Sequence, residues 1–427
     1  MAVPSAFNSL LDMLQVLTDL IMVGTISAAA VAAVGVGLQS WMLVIALLTL
    51  LHVGTSALVS RLYGAKKMNQ ASLALASLLR FTFFFSIPLT LLWYFGSTAL
   101  YRFFGVADEV LQMGVSYVEV LTYMVPFLLL KYVMVTALNA TGDMKTPMYV
   151  KLFSIVLNVG LNYVLIFGHF GFPALGVAGA AVATVLINVL EFTIYMYLYL
   201  NKKTPFTPML GFSKSLLMRA LKVGFPASVE RVLTMGSFTL FTMVIAKYGT
   251  EALAGYQIGL RVEGIAFMPG IGFTIAAMAL MGQGLGAKKP EQSREDVLLV
   301  LKYAIALMFS LSFFMVFTPE WIVQFFTNDA KTIEEASLYL KIVGLSQIPL
   351  AFNFVLSGAL RGAGDSKRTL RINLISLWFV RILPATLLSW YFHEIIWVYV
   401  AMISDTFVKA FFLWRAFDKG EWKKIKV

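Results

Sequence analysis

The chain of 427 residues has no cysteine. Disulfides, thiolate metal sites and cysteine nucleophiles are therefore excluded. Only three histidines are present, His52, His169 and His393, too few and too scattered for a histidine metal centre. Charged residues make up 13% of the chain, about half the share of an ordinary soluble domain, while 59% is hydrophobic. No water-soluble fold of this length hides that much apolar surface. The phosphate-binding loop of nucleotide hydrolases, the HExxH zinc motif and the GxSxG nucleophile elbow are all missing, so the sequence carries no catalytic signature. The N-terminal residues lack the basic stretch, short apolar core and small-residue cleavage site of a secretory signal, and the first apolar segment reads as retained.

What is present is a succession of apolar runs of about 20 residues or more, the length at which a helix crosses a hydrocarbon core of about 30 Å. No ten-residue alternation of the transmembrane-barrel kind appears. The expected fold class is an all-α polytopic membrane protein, its helices near 2–27, 30–59, 72–100, 110–139, 147–168, 173–200, 215–247, 252–281, 293–318, 333–360, 369–391 and 393–416. The formal charge of +11 is concentrated in loops on one side, such as Lys66 and Lys67, Lys202 and Lys203, Lys288 and Lys289, and the tail with Lys423, Lys424 and Lys426. Loops on the other side carry Asp108, Glu109, Glu320, Asp329, Glu334 and Glu335. The positive-inside rule then places both termini in the cytoplasm of a cell inner-membrane protein. The charge is loop charge, and no nucleic-acid partner is expected.

An internal repeat at a shift of 222 residues organises the chain. Gly64-Ala65-Lys66-Lys67 recurs as Gly286-Ala287-Lys288-Lys289, Ala137-Leu138 with Gly142-Asp143 as Ala359-Leu360 with Gly364-Asp365, and Phe103-Phe104 as Phe325-Phe326. Pro4 falls on Pro226. Two pseudo-symmetric bundles of six helices follow, 1–205 and 206–427, the second preceded by an amphipathic lead-in at 212–223 that the first lacks. That difference is expected of a truncated or misassigned start. Copies of six helices enter the membrane in the same direction, a design in which a cavity between the halves is exposed alternately by rocking.

Polar residues inside apolar runs are costly and point to function. Asp19 lies within the first helix, where desolvation favours either a proton or a bound cation on the carboxyl. Asn8, Asp12, Gln15 and Asp19, spaced i, i+4, i+7 and i+11, share one face. Asn158 and Asn162 on the fifth helix and Thr184 on the sixth come to a comparable depth. Their carboxylate, amide and hydroxyl oxygens would suit Na⁺ or a relayed proton, making these four the candidate coupling and Na⁺ site. The second half has Phe241, Val380 and Pro384 at the equivalent positions and carries its own ionisable set. Glu230 is a second candidate for ion coupling, while Arg261 and Glu263 join Asn8, Asp12, Gln15 and Asn353 as candidate cavity residues. Arg381 is read as half of a structural ion pair.

These residues resemble the multidrug and toxic compound extrusion family, MATE, along essentially the whole chain. The resemblance rests on Thr18-Asp19 with Val23-Gly24, on Ala32 to Leu38, and on Gly64-Ala65-Lys66-Lys67. It rests further on Gly142-Asp143, Asn158, the run from Gly176 to Thr184, and Arg361 to Asp365. It implies a two-lobed, V-shaped, monomeric exporter that exchanges cationic or amphipathic small molecules for Na⁺ or H⁺ and needs no other cofactor. In the DinF-like branch an aspartate fifteen residues after a kinking proline works with an asparagine on the fifth helix and an acid four residues later. Pro4, Asp19 and Asn158 match, and Asn162 replaces that acid with an amide. Glu230 matches a glutamate of the NorM-like branch, whereas that branch's aspartate on the tenth helix has no counterpart near Leu350 to Asn353. The alternatives are a lipid-linked precursor flippase of a related two-lobed family, for which Arg231, Arg261 and Arg381 could supply a cationic cavity, and a membrane protein without transport activity.

Overall fold

The computed structural model describes residues 2–39, 41–103, 105–392 and 394–425, so His393, Phe104 and Lys426 lie outside the described residues. Among the described residues ten helices are long and apolar enough to cross a membrane, and two pairs bent by 50° and 56° bring the spans to twelve when each pair is taken as one. In the first half these are span 1 (Ala2–Gly24), span 2 (Ala28–Gln39 and Met42–Gly64), span 3 (Met68–Phe103), span 4 (Asp108–Thr122 and Val125–Thr141), span 5 (Lys145–Phe167) and span 6 (Val177–Leu200). The second half has span 7 (Lys214–Ala246), span 8 (Thr250–Gly286), span 9 (Pro290–Phe317), span 10 (Ala330–Gly344 and Gln347–Gly362), span 11 (Ser366–Tyr391) and span 12 (Ile396–Asp418). A short helix, Pro319–Gln324, joins spans 9 and 10. No strand occurs among the described residues. The lead-in at 212–223 is continuous with span 7 from Lys214 onward, and its Leu216, Leu217 and Ala220 are buried in the apolar core of the first half.

Three spans expected as single helices are interrupted. In span 4 the new helix begins just before Pro126, and in span 10 just before Pro349. Proline is accepted in a first turn, where its missing N–H has no intrahelical partner to lose, but not in a helix interior. In span 2 a new helix starts at Met42, after a turn at Trp41. In span 11 the chain widens into a π-helical turn at Leu377–Ile382 immediately before Pro384. Pro384 cannot donate to the carbonyl of Val380, and the wider turn absorbs the lost bond. The repeat-equivalent position in span 5 is Asn162, and that span stays regular.

The repeat is visible in backbone geometry. Lys66 (φ 58°) and Lys288 (φ 59°) both take the left-handed conformation, as do Gly142 (φ 94°) and Gly364 (φ 90°). After the two lysines the chain closes the same helix-ending bond, Lys67 N–H to Leu62 C=O at 2.9 Å and Lys289 N–H to Gly284 C=O at 2.8 Å. Gly37 packs against Tyr117, and its equivalent Gly259 against Tyr339.

The halves meet through glycine. A Cβ at Gly64 would stand 1.9 Å from the Gln283 carbonyl oxygen, and one at Gly286 would stand 2.1 Å from that of Arg61. These are the same contact made twice, since 61 and 64 recur as 283 and 286. Ser60 meets its own equivalent, Gly282, so the pseudo-twofold axis passes between them. Deeper along the same spans, Gly54 approaches Ala220, Gly224 approaches Leu50 and Gly272 approaches Ala6. All these approaches lie between mid-membrane and the end that bears the paired lysine loops. Small residues let helix backbones touch in lipid, where packing rather than water exclusion drives association.

Gly286→Val should pry this end open, because overpacking costs about 1–3 kcal/mol and the side chain would overlap the Arg61 carbonyl. With spin labels at Lys66→Cys and Lys288→Cys, possible because the chain has no cysteine of its own, the label separation should grow by roughly 2 Å or more. Gly236→Val, facing open space, should leave it unchanged.

Candidate functional site

Span 1 presents Asn8, Asp12, Gln15 and Asp19 to a cavity of about 560 Å³. Its other walls come from spans 2, 4, 5 and 6, all in the first half. This cavity lies inside a single lobe, while a second one of about 460 Å³ lies between the halves at the end bearing the paired lysine loops, lined by Tyr63 and Lys66 of one half and Gln283 and Asp296 of the other.

At the bottom of the polar stripe the four predicted coupling residues converge. Asn162 Nδ2 donates to Asp19 Oδ1 at 2.5 Å and to Asn158 Oδ1 at 3.3 Å. Both asparagines are fully buried. Thr184 lies beside the Asp19 carboxyl, its own hydroxyl donating to the Ala180 carbonyl at 3.0 Å. Asn162 Oδ1 is buried with no partner, as is Asn158 Nδ2. The donor set is oxygen-rich, with neither sulfur nor imidazole, and so fits a hard monovalent cation.

Beside this cluster stands a charge network that the sequence reading passed over. Lys151 on span 5 contacts Asp12 at 2.6 Å, donates to Gln15 Oε1 at 2.7 Å and lies 3.9 Å from Glu191 on span 6. Lys131 on span 4 is ion-paired with Glu191. The side chains of Lys131 and Lys151 are each 12% exposed and that of Glu191 4%, whereas that of Asp12 is 59% exposed. The signal that singled out Asp19, an ionisable residue inside an apolar run, applies equally to all three missed residues.

The second half arranges its charges differently. Glu230 receives Arg361 at 2.6 Å, the Asn373 amide at 2.5 Å and the Thr369 hydroxyl at 3.5 Å. Asp405 is bound by Lys409 at 2.7 Å, Arg381 at 3.3 Å and the Ser376 hydroxyl at 2.6 Å. Tyr339 donates to Glu263 at 2.5 Å, and Asn353 donates to the Thr406 carbonyl at 3.2 Å, tying span 10 to span 12. Arg261 is exposed. Glu263, Arg261 and Asn353 are therefore not walls of the first-half cavity that Asn8, Asp12 and Gln15 line, because span 8 and span 10 belong to the other bundle. Glu230 and Asn373 occupy the repeat positions of Asn8 and Lys151: one lobe has an acid held by an amide where the other has an amide and an ammonium.

Twelve spans in two repeated bundles, with buried charge around a one-lobed cavity, define a two-lobed membrane transporter rather than an enzyme. The sequence pattern of the family described as MatE matches residues 4–164 and again 226–387, once for each half. A probable multidrug resistance protein NorM of Thermotoga maritima is 30% identical over 435 residues, covering 99% of this chain and 92% of its own. Among solved structures, one described as the outward-facing conformation of a multidrug resistance MATE family transporter of the MOP superfamily superposes with a TM-score of 0.92 at 21% identity, over 100% of this chain and 96% of that one. A MOP superfamily transporter from Pyrococcus furiosus, for which a reversed polarity of the binding pocket is said to suggest a different function, gives 0.91 at 22% with the same coverage. The chain belongs to the MatE family.

Proposed function

We propose that the protein exports cationic or amphipathic small molecules across the cell inner membrane as a monomer, in exchange for Na⁺ or H⁺ taken up at Asp19. The observation that carries this reading is the carboxylate of Asp19 bonded to the buried Asn162 amide, which also bonds Asn158, beside Thr184. As placed, Asn162 fills the seat with its N–H group. Turning that amide over would bring its unpartnered Oδ1 toward Asp19 and Asn158 Oδ1, an oxygen cluster for Na⁺, while a proton on Asp19 would neutralise the same charge. Coupling belongs to this lobe, because Glu230 already has an arginine and an amide on its carboxylate. The glycine contacts lock the lysine-bearing end, which the positive-inside rule makes cytoplasmic along with both termini. The cavity then faces outward, and rocking of the lobes about the Ser60–Gly282 axis would expose it inward.

Proteoliposomes loaded with a cationic fluorescent dye test the proposal. Dye should move against its gradient under an imposed Na⁺ gradient, a pH gradient or both, and the effective gradient names the ion. Movement under neither gradient would sink it.

A further inference from the structure

We infer that the first-half cavity accepts amphiphiles bearing a carboxylate, which takes the place of Asp12 on the Lys151 ammonium. This rests on the export reading above and names a class of ligand for the same cavity. Its starting point is an inequality between two acids. Lys131 and Lys151 are balanced by Glu191 and Asp12, and only one of those acids is free to leave. The Glu191 side chain is 4% exposed and touches both lysines, so its removal would strand charge in a buried setting. Asp12, on span 1, has a side chain that is 59% exposed and lines the cavity, so it can turn away from Lys151 into that space. Lys151 is 12% exposed and cannot follow it. Lys151 is therefore a fixed cation with an exchangeable counterion.

A ligand carboxylate would replace Asp12 as the partner of Lys151 and retain a charge-assisted hydrogen bond to that ammonium. The same lining holds three acids, Asp12, Asp19 and Glu191, beside which a positive charge elsewhere on the ligand can sit. The remaining wall suits an apolar body: Trp41, Leu48, Met124, Leu128 and Tyr132 line it, and the volume of about 560 Å³ holds a drug-sized molecule. Trp41 Nε1 and Asn8 Oδ1 are buried without partners on that wall, one donor and one acceptor for the ligand's polar groups.

The test uses the full chain in lipid nanodiscs and two fluorescent probes, 11-(dansylamino)undecanoate and its uncharged primary amide, with empty nanodiscs subtracted. The carboxylate should bind roughly tenfold or more tighter than the amide, the scale of one hydrogen bond to a charged group. Lys151→Met should erase that preference without weakening the amide. Asp12→Asn, which removes the competing acid and leaves both lysines in place, should tighten the carboxylate further. Equal affinity for the two probes in the unmodified protein would overturn the inference, as would weaker carboxylate binding by Asp12→Asn. Dye efflux by the same protein in proteoliposomes separates the two readings. Efflux without a carboxylate preference removes this inference alone, and a carboxylate preference without efflux removes export instead.

Discussion

Asp19→Asn should bring gradient-driven dye efflux down to the rate of protein-free liposomes while leaving the fold intact. The asparagine is isosteric, and its Oδ1 can still accept the Asn162 N–H that Asp19 now accepts at 2.5 Å. What it cannot do is bind a proton or offer a negative charge to Na⁺. Thermal unfolding in detergent should shift little, since the hydrogen bond between spans survives and even its loss would cost only about 0.6 kcal/mol, the average worth of such bonds in a membrane. A loss of efflux at unchanged stability is the signature of coupling, whereas loss of both would mark Asp19 as a structural post. Wild-type efflux by the mutant would remove Asp19 from the mechanism. The exchange of partners, Asp19→Asn with Asn162→Asp, asks a sharper question. It returns one negative charge to the same cluster on the neighbouring span, and recovered efflux would show that the charge matters more than the span that carries it.

The reach of the sequence can be judged from these same residues. Asp19, Asn158, Asn162 and Thr184 were legible because each is a polar side chain at a depth where water is absent, and depth alone brought them to one level. Partners cannot be read in this way. Arg361 lies 131 positions from Glu230, and nothing in either segment announces the ion pair that occupies the carboxylate. Asn353 stood near the expected cavity in sequence and instead braces span 10 against Thr406. The spans were readable from apolar runs, and the shift of 222 residues paired the two halves correctly down to the left-handed lysines. The bends in spans 4 and 10 escaped a reading by hydropathy, which runs on across Tyr123 and Leu345; their signal was Pro126 and Pro349, each placed in the first turn of the helix after the bend. Lys131, Lys151 and Glu191 are a different kind of omission. Their signal was present in the sequence, but an ionisable residue on each of three separate helices becomes a network only when packing brings them together.

That network carries the second large effect. Glu191→Leu should destabilise the protein by about 3–5 kcal/mol, the cost of leaving a buried charge without its partner. The cost exceeds that of a single interhelical hydrogen bond because Lys131, 12% exposed, has its ion-pair contact with Glu191. Lys131→Met should cost less, since Glu191 would keep Lys151 at 3.9 Å. Lys131→Met combined with Glu191→Leu should recover most of the loss, as replacing a buried pair by apolar groups of similar volume is often neutral or stabilising. Lys151 would still hold Asp12 and Gln15. Thermal unfolding of the three variants in one detergent checks the order. A double variant as unstable as Glu191→Leu alone would mean that Glu191 is held chiefly for Lys151, so that its partner on span 5, rather than the one on span 4, fixes the acid in the cavity.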